Sequence, residues 1–332
     1  MEIRQPYLLF LGDAPDDLAA KTARGVWQWR PQACVGQFRL EGCATSLQLP
    51  DLTLAEARER GAKTLLIGVA NRGGVIPDSW RVPLVQALEL GMDIASGLHT
   101  RLSGIEVIRS AAERTGCSLH EVRHPEGPFP VATGAPRPGR RLLTVGTDCS
   151  VGKMYTALAL ERELRGRGIA ADFRATGQTG ILIAGSGVAI DAVVADFISG
   201  ATEELCPAND AEHWDLVEGQ GSLFHASFAG VSLGLLHGAQ PEALVLCHEP
   251  TRTHMRGLPH QSLPGLKECM DANLAAASLV SPEVRFVGVA INTSGLDPKS
   301  AETILAETEA ELALPCVDPL RQGVDRIVDG MI

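Results

Sequence analysis

Short apolar runs alternate with amphipathic helical patterns along the whole chain. In the first 125 residues each run is short enough for one buried strand. Such runs, separated by helical patterns, are typical of a parallel sheet with helices on both faces, so a Rossmann-like domain is predicted over residues 1–125. The predicted strands are residues 7–12, 64–69 and 92–96, and the predicted helices are residues 18–27, 84–90 and 104–115. Pro83 is expected in the first turn of the second helix.

A stretch rich in Pro and Gly interrupts this alternation. The spacing of its prolines excludes a helix or a central strand, so residues 126–141 are predicted to be a linker. The alternation then resumes through residues 142–332, with connections long enough for parallel crossovers. The predicted strands are residues 142–145, 170–175, 215–218, 243–247 and 284–291, and the predicted helices are residues 153–167, 188–197 and 298–312. The fold class is therefore α/β, and a second domain with a mainly parallel sheet is expected.

A glycine-rich loop joins the strand predicted at 142–145 to the helix that follows. The loop reads Gly146, Thr147, Asp148, Cys149, Ser150, Val151, Gly152, Lys153. Its glycines allow consecutive N–H groups to point at a phosphate, the helix N-terminus adds partial positive charge, and Lys153 adds a full charge. The strand–loop–helix context distinguishes a P-loop from a chance Gly-Lys pair. We therefore predict a P-loop NTPase-like domain over residues 142–332, with the loop and Met154 as its phosphate-binding residues.

The loop departs from the standard P-loop pattern in two ways. Five residues separate Gly146 from Gly152, one more than usual, and Met154 stands where Ser or Thr normally holds Mg²⁺. A thioether is a poor ligand for a hard cation, and Thr156 lies on another face of the helix. No metal is expected, although Asp148 or Glu218 offers an alternative route to one. Lys153→Ala is expected to weaken a phosphate-bearing ligand by roughly 1.5–3 kcal/mol while hardly changing fold stability.

Other polar segments follow the later strands, at the sheet edge where ligands of α/β proteins bind. Glu218 and His248 are candidate acid–base groups, and each also has a purely structural interpretation. Arg174 and Arg252 suit a two-pronged contact with a carboxylate, with surface salt bridging as the alternative. Residues 176–180 form either a second anion-holding turn or an ordinary loop. The polar candidates for substrate binding are Arg174, Gln178, Thr179, Gln220 and Arg252. His225 and His237 are expected to be structural.

Composition and charge narrow the function classes. The 332-residue chain is 45% hydrophobic and 21% charged, which is typical of a globular protein with two cores. Its formal net charge of −11 argues against general binding to nucleic acid or a membrane surface. The eight cysteines include no Cys-x-x-Cys pair, and neither a signal peptide nor a transmembrane run is recognised. A cytoplasmic protein with reduced thiols is expected, and a homo-oligomer is expected from its size and class.

Five segments together resemble one known family. They are residues 146–154, 175–181, 217–223, 235–238 and 246–252. In this combination they are similar to the D-glutamate N-acetyltransferase family of P-loop proteins, long labelled only as a domain of unknown function. Methionine after the Gly-Lys pair belongs to that family's pattern, and the resemblance covers nearly the whole chain. The loop is also similar to that of dethiobiotin synthetase, which implies a shared fold and not a shared reaction.

The resemblance implies acetyl transfer from acetyl-CoA to the amino group of D-glutamate. Such a reaction needs a general base, for which Glu218, Asp148 and His248 are the candidates, and donors for the developing oxyanion. A P-loop without its Mg²⁺ ligand can still hold the phosphates of CoA, and Arg174 or Arg252 would bind the glutamate carboxylates. Two alternatives stay open: an ATP-dependent kinase or ligase resembling dethiobiotin synthetase, and a non-catalytic nucleotide or CoA sensor.

Overall fold

The structure is a computed structural model that describes residues 2–71, 73–125 and 127–332. The chain forms two compact units. The first contains the described residues of Met1–Glu126 together with Gly177–Ala192, and the second contains Gly127–Thr176 and Val193–Ile332. The short segment 177–192 therefore packs with the N-terminal unit, although it follows the P-loop in the sequence. The predicted boundaries 1–125, 126–141 and 142–332 assign residues 177–192 to the P-loop domain, whereas in the structure these residues belong to the first unit.

The first unit is built on a five-stranded parallel sheet in the order β2-β1-β3-β4-β5. This is the flavodoxin-like order, in which the strand order reverses between β1 and β3. Its strands are β1 (Tyr7–Gly12), β2 (Cys34–Arg39), β3 (Thr64–Ile67), β4 (Asp93–Ser96) and β5 (Leu119–Glu121), and its helices are α1 (Lys21–Trp29), α2 (Leu54–Glu59), α3 (Asp78–Glu89), α4 (Glu106–Thr115) and α6 (Gln178–Ala184). Every residue of β1, β3 and β4 is buried, as expected for strands between two helical layers.

The second unit is built on a six-stranded parallel sheet in the order β11-β10-β9-β6-β8-β7. Its strands are β6 (Arg140–Gly146), β7 (Ala171–Arg174), β8 (Trp214–Val217), β9 (Ala243–His248), β10 (Arg285–Ile291) and β11 (Cys316–Val317), and its helices are α5 (Lys153–Gly166), α7 (Ile198–Leu205), α8 (Ala229–Ala239), α9 (Leu266–Ala277), α10 (Pro298–Leu312) and α11 (Asp325–Asp329). The prediction of two α/β units with parallel sheets is confirmed. No helix in the described ranges combines the length and the apolar character needed to cross a membrane.

Three local predictions differ from the structure. Pro83 lies in the middle of α3, because the helix begins at Asp78 directly after Pro77. The helix predicted over 188–197 is wrong: two short 3₁₀ turns occupy this stretch, because the chain leaves one unit for the other after Ala192. Of residues 176–180, only Thr176 and Gly177 form a loop, because α6 begins at Gln178. Besides α6, the elements that were not predicted are the strands β2, β5 and β11 and the helices α2, α7, α8, α9 and α11.

Helices α7 and α8 approach each other through glycines on one face of α8. A Cβ on Gly234 would lie 2.3 Å from Cγ2 of Ile198, and a Cβ on Gly238 would lie 2.3 Å from the carbonyl oxygen of Ser199. The third glycine of this helix, Gly230, has open space around its Cα. The close packing of the two helices therefore depends on Gly234 and Gly238 and not on Gly230.

This difference makes a matched test possible within one helix. We expect Gly238→Ala to lower the free energy of unfolding by about 3 kcal/mol, since the new methyl group overlaps backbone that cannot move alone. Gly230→Ala should leave stability unchanged or raise it by up to about 1 kcal/mol, because alanine is the better helix former. Urea denaturation followed by circular dichroism measures both. Equal stability of the two variants would contradict the packing described here.

Candidate active site

The predicted P-loop lies at the carboxyl end of β6, inside the second sheet. Strand β6 ends at Gly146 and α5 begins at Lys153. The loop turns through two residues of positive φ, Ser150 at 53° and Gly152 at 109°. Glycine adopts such angles readily, whereas serine does so at a cost of about 1–3 kcal/mol. The strained Ser150 is held by the loop's contacts with Arg252 and Arg256.

Lys153 points into the unit and is only 6% exposed. Its Nζ donates hydrogen bonds of 2.8 Å to the carbonyl oxygens of Asp148 and Gly221. Burial lowers the pKa of the Lys153 ammonium, and nearby cysteines and Asp148 act in the opposite direction. The side chain therefore ties the P-loop to the loop after β8. The expectation that Lys153→Ala hardly changes fold stability took no account of these two hydrogen bonds, because sequence spacing does not show where the ammonium finds its partners.

Asp148 is completely buried beneath the loop. Its Oδ1 accepts a hydrogen bond of 2.6 Å from the N–H of Cys149, and its Oδ2 accepts one of 2.8 Å from the N–H of Arg256. The same Oδ2 lies 2.7 Å from Nη1 of Arg252. Two backbone N–H groups and one guanidinium therefore hold this buried carboxylate. These contacts give Asp148 the task of holding the loop closed.

Arg252 lies across the same loop. Nη1 donates to the carbonyl oxygen of Cys149 at 2.5 Å, Nη2 donates to that of Ser150 at 2.8 Å, and Nε donates to Glu249 at 3.0 Å. With Asp148 added, most of its donors are occupied within the protein. The predicted grip of Arg252 on a substrate carboxylate would require some of these bonds to be exchanged. Sequence reasoning did not single out Arg256, which bonds the same loop and lies four residues further on.

His248 ends β9, the neighbour of β6 in the sheet. Because Gly146 pairs with Cys247 in register, the next residues, Thr147 and His248, also meet. Oγ1 of Thr147 lies 2.9 Å from Nδ1 of His248. Burial lowers the pKa of the His248 imidazole below its usual value of 6.5, opposed by the nearby Glu249. The ring is therefore neutral at pH 7, and within the described residues its Nε2 makes no hydrogen bond.

Glu218 directly follows β8 and is almost fully buried. Its Oε2 accepts a hydrogen bond of 2.9 Å from the N–H of Thr176, and the hydroxyl of Thr176 donates to the backbone oxygen of Glu218 at 2.5 Å. The amide of Gln220 reaches the same hydroxyl at 3.1 Å. Between them, a Cβ on Gly219 would lie 1.7 Å from the carbonyl oxygen of Thr144. Only glycine allows the two backbones to approach so closely.

Arg174 is directed toward acidic side chains of its own sheet. Its Nε lies 2.7 Å from Oδ1 of Asp215, and its Nη2 lies 3.3 Å from Asp172. His213 lies 3.4 Å from both carboxylates. Burial raises the pKa of Asp215, and Arg174 opposes this shift. Among the described residues, the structure does not bring the guanidinium of Arg174 together with the P-loop side chains.

The remaining two candidates belong to the other unit. Gln178 and Thr179 open α6, and both line a cavity of the first unit. The structure therefore divides the predicted site residues between the two units. The loop residues, Glu218, Gln220, His248 and Arg252 belong to the second unit, as does Arg174, and their functional roles stay predictions.

Two of the three groups near the loop that resemble metal ligands, Asp148 and His225, already make hydrogen bonds within the protein. A carboxylate oxygen of Asp148, Sγ of Cys149 and a ring nitrogen of His225 lie within 4.8 Å of one another. However, Nδ1 of His225 accepts from the N–H of Ser227 at 3.1 Å, and Nε2 contacts the carbonyl oxygen of Arg256 at 3.0 Å. The hydroxyl of Thr156 donates to the carbonyl oxygen of Gly152 at 3.1 Å. These bonds agree with a structural role for His225.

The cysteines around the loop are poor thiolate nucleophiles. Burial raises the pKa of Cys247 to about 11 and that of Cys269 to about 12. Burial also raises the pKa of the Cys149 thiol, although Lys153 acts in the opposite direction. The thiolate is the reactive form, so these thiols stay protonated and unreactive at neutral pH. A cysteine acyl-enzyme is not the chemistry that this site favours.

Comparisons with known proteins place this site in a family. Residues 130–328 match the model of a domain of unknown function described as the DUF1611_C P-loop domain, and residues 38–125 match the DUF1611_N Rossmann-like domain. A D-glutamate N-acetyltransferase of Tritonibacter scottomollicae is 56% identical, and one of a Pseudoalteromonas species is 51% identical, each with 99% of both chains covered. A DUF1611 family protein from Anabaena variabilis with a known crystal structure is 34% identical in sequence. Its structure is similar to this one with a TM-score of 0.83, and the comparison covers 98% of this chain and 99% of that one.

The fold and the site thus define a two-domain α/β protein, with a Rossmann-like domain followed by a P-loop domain. The chain belongs to the DUF1611 family. The family resemblance recognised in its sequence segments is confirmed by these matches.

The buried position of Lys153 leads to a test of the loop. We expect Lys153→Ala to lower the free energy of unfolding by about 1.5–3 kcal/mol, because two buried carbonyl oxygens lose a charged donor. Lys299→Ala, which truncates an exposed lysine at the start of α10, is the matched control and should change stability little. Chemical denaturation of the three proteins provides the measurement. A Lys153→Ala protein as stable as the wild type would show that the two hydrogen bonds contribute nothing.

Proposed function

We propose that this protein is a D-glutamate N-acetyltransferase that uses acetyl-CoA as the acetyl donor. The observation that carries the proposal is the similarity to two relatives of that name, at 56% and 51% identity over 99% of each chain. The geometry of the P-loop unit is compatible with the reaction in the three respects described below.

The first respect is donor binding. CoA carries a pyrophosphate and a 3′-phosphate, and phosphates bind where backbone N–H groups, a helix N-terminus and a cation converge. In this chain those elements are residues 146–152, the start of α5 and Lys153. Lys153 donates hydrogen bonds to two carbonyl oxygens of the protein. It would therefore either attract the phosphate through its charge alone or exchange one of these hydrogen bonds for one to a phosphate oxygen.

The second respect is proton transfer. The ammonium group of D-glutamate must lose a proton before its nitrogen can attack the thioester carbon. Of the three candidate bases, Asp148 is held by Arg252 and two backbone N–H groups, and Glu218 accepts from the N–H of Thr176. His248 is neutral at pH 7, since burial lowers its pKa, and Thr147 orients its ring. We therefore assign the general base to Nε2 of His248.

In the proposed reaction Nε2 of His248 takes one proton from the substrate ammonium. The resulting amine attacks the carbonyl carbon of acetyl-CoA, which forms the C–N bond and places negative charge on the oxygen. Backbone N–H groups are suitable donors for that oxyanion. The C–S bond then breaks, the imidazolium returns its proton to the departing thiolate, and the amide nitrogen releases its second proton to solvent. The products are N-acetyl-D-glutamate, CoA and one proton.

The third respect is independence from Mg²⁺ and ATP. Met154 offers a thioether at the position of the usual Mg²⁺ ligand, and the Thr156 hydroxyl is bonded to Gly152. These features favour acetyl transfer over an ATP-dependent kinase or ligase.

The eight cysteines are all free thiols, in agreement with a reducing compartment such as the cytoplasm. We also propose a homo-oligomer, which light scattering checks against a monomer of 35.2 kDa.

The main test is release of free CoA thiol from acetyl-CoA, measured against a panel of D- and L-amino acids in EDTA without nucleotide. We expect D-glutamate to be the best acceptor, with L-glutamate and D-norvaline as matched controls for chirality and for the γ-carboxylate. Mass spectrometry should identify N-acetyl-D-glutamate as the product. An absolute requirement for Mg²⁺ and ATP would overturn the proposal and favour an ATP-dependent enzyme. Tight acetyl-CoA binding without turnover on any amino acid would favour a sensor.

A second prediction concerns the base. Since burial lowers the pKa of His248, its neutral form persists as the pH falls, and the acid limb of the kcat/KM profile should lie below pH 6.5. We expect His248→Gln to lower kcat by about 10²–10⁴-fold and to remove that limb. The control is His260→Gln, which changes an exposed histidine of the same segment. An unaltered pH profile in the His248→Gln protein would assign the base to another group.

A further inference from the structure

The first unit contains a cavity of about 270 Å³ at the carboxyl edge of its sheet. The cavity is bordered by the segments that follow β3 and β4, by the first turn of α1 and by the first turn of α6. The strand order reverses between β1 and β3, and open α/β sheets bind ligands in the crevice outside such a reversal. The cavity therefore lies where this topology places a binding site, within one compact unit.

The polar lining of the cavity carries positive charge. Arg123 and Lys21 supply two cationic groups, and His99 supplies an imidazole. Gln178 and Thr179 add an amide and a hydroxyl, and neither side chain makes a hydrogen bond to another described residue. None of the lining residues is acidic. This chemistry suits a small anion with further hydrogen-bonding groups.

Arg123 is held in place with donors to spare. Its side chain is 19% exposed, and its Nε donates a hydrogen bond of 3.2 Å to the carbonyl oxygen of Gly97. Nη1 lies 3.9 Å from Asp191, which is too long for a hydrogen bond. Within residues 2–71, 73–125 and 127–332, the terminal nitrogens have no closer partner. A guanidinium that is fixed at Nε, and whose outer nitrogens make only this long contact with Asp191 among the described residues, is suited to a planar, two-pronged contact with a carboxylate.

The size of the cavity suits a small ligand. Its volume of about 270 Å³ lies just below the range of about 300–1,000 Å³ that is typical of pockets for drug-sized molecules, so an amino acid fits. The candidate arginines of the second unit are occupied: Arg252 by the P-loop and Arg174 by Asp215 and Asp172. The cavity of the first unit offers the cations that two carboxylates need.

We propose that this cavity binds the two carboxylates of D-glutamate, with Arg123 gripping one and Lys21 attracting the other. The proposal rests on the proposed function, since that function supplies the dicarboxylic amino acid. Gln178 and Thr179 are the neutral hydrogen-bonding groups of the same site. Arg123, Lys21, Gln178 and Thr179 are thereby the residues that would bind the dicarboxylate within the first unit.

The test is isothermal titration of the full-length protein with D-glutamate in the absence of acetyl-CoA. Arg123→Gln should weaken D-glutamate binding about tenfold or more, as expected for loss of a charge-assisted contact. Lys21→Gln should weaken it less, because the lysine is exposed at the rim. The matched control is Arg24→Gln, which removes a charge of the same helix that is paired with Asp17 outside the cavity. Its affinity for D-glutamate should equal that of the wild type.

Glutarate and D-norvaline separate the contributions of the ligand. Glutarate keeps both carboxylates and should bind with the same dependence on Arg123, whereas D-norvaline lacks the γ-carboxylate and should bind far more weakly. Lys21→Gln keeps the test valid where Arg123→Gln fails to fold, because Lys21 is exposed and its side chain makes no hydrogen bond or ion pair to another described residue.

The outcomes distinguish this proposal from the proposed function. Normal D-glutamate affinity in both cavity variants, together with acetyl transfer by the wild type, would overturn the cavity assignment and leave the function standing. Loss of acetyl-CoA affinity with unchanged D-glutamate affinity in these variants would also overturn it, since the cavity would then bind a phosphate of the donor. Arg123-dependent binding of glutarate without any acetyl transfer would support the cavity as a dicarboxylate site and refute the function.

Discussion

The burial of a charged lysine governs the conformation of the P-loop unit. An ammonium group can leave water only where hydrogen-bond acceptors replace its hydration. Lys153 meets this condition through the carbonyl oxygens of Asp148 and Gly221, one from its own loop and one from the loop after β8. The Gly221 loop in turn comes close because Gly219 has no side chain to separate it from Thr144. The buried ammonium of Lys153 therefore needs glycine at position 219, because only then does the loop that carries the Gly221 acceptor come close enough.

A second buried charge closes the loop from the other side. Asp148 is inaccessible to water, yet its two oxygens receive backbone N–H groups and the guanidinium of Arg252. The same guanidinium holds the strained turn at Ser150. Removing one partner of such a buried pair is far more damaging than its net contribution to stability suggests. These opposite charges hold the loop in its observed conformation.

The chemistry available at the loop follows from burial rather than from unusual residues. Burial raises the pKa of the neighbouring thiols and lowers that of His248, so each group stays uncharged near neutral pH. An uncharged imidazole accepts protons, whereas a protonated thiol does not attack a thioester. The site consequently favours direct transfer to an amine over a covalent intermediate on cysteine. The first unit adds a separate cationic cavity at its own topological switch point.

The sequence by itself determined the local elements and the identity of the loop. Buried strands such as Tyr7–Gly12, the helix Pro298–Leu312 and the strand–loop–helix around Gly146–Lys153 are encoded by contiguous residues, whose periodicity and glycines are readable directly. Half-buried elements such as Cys34–Arg39 gave a mixed pattern and were missed.

Only the tertiary structure decided which distant residues meet. The pairing of β6 with β9 brings Thr147 to His248 and lets Asp148 meet Arg252, and the return of residues 177–192 places Gln178 in the first unit. The physical reason is that strand order and the partners of buried charges depend on contacts between segments far apart in the chain, which no local pattern specifies.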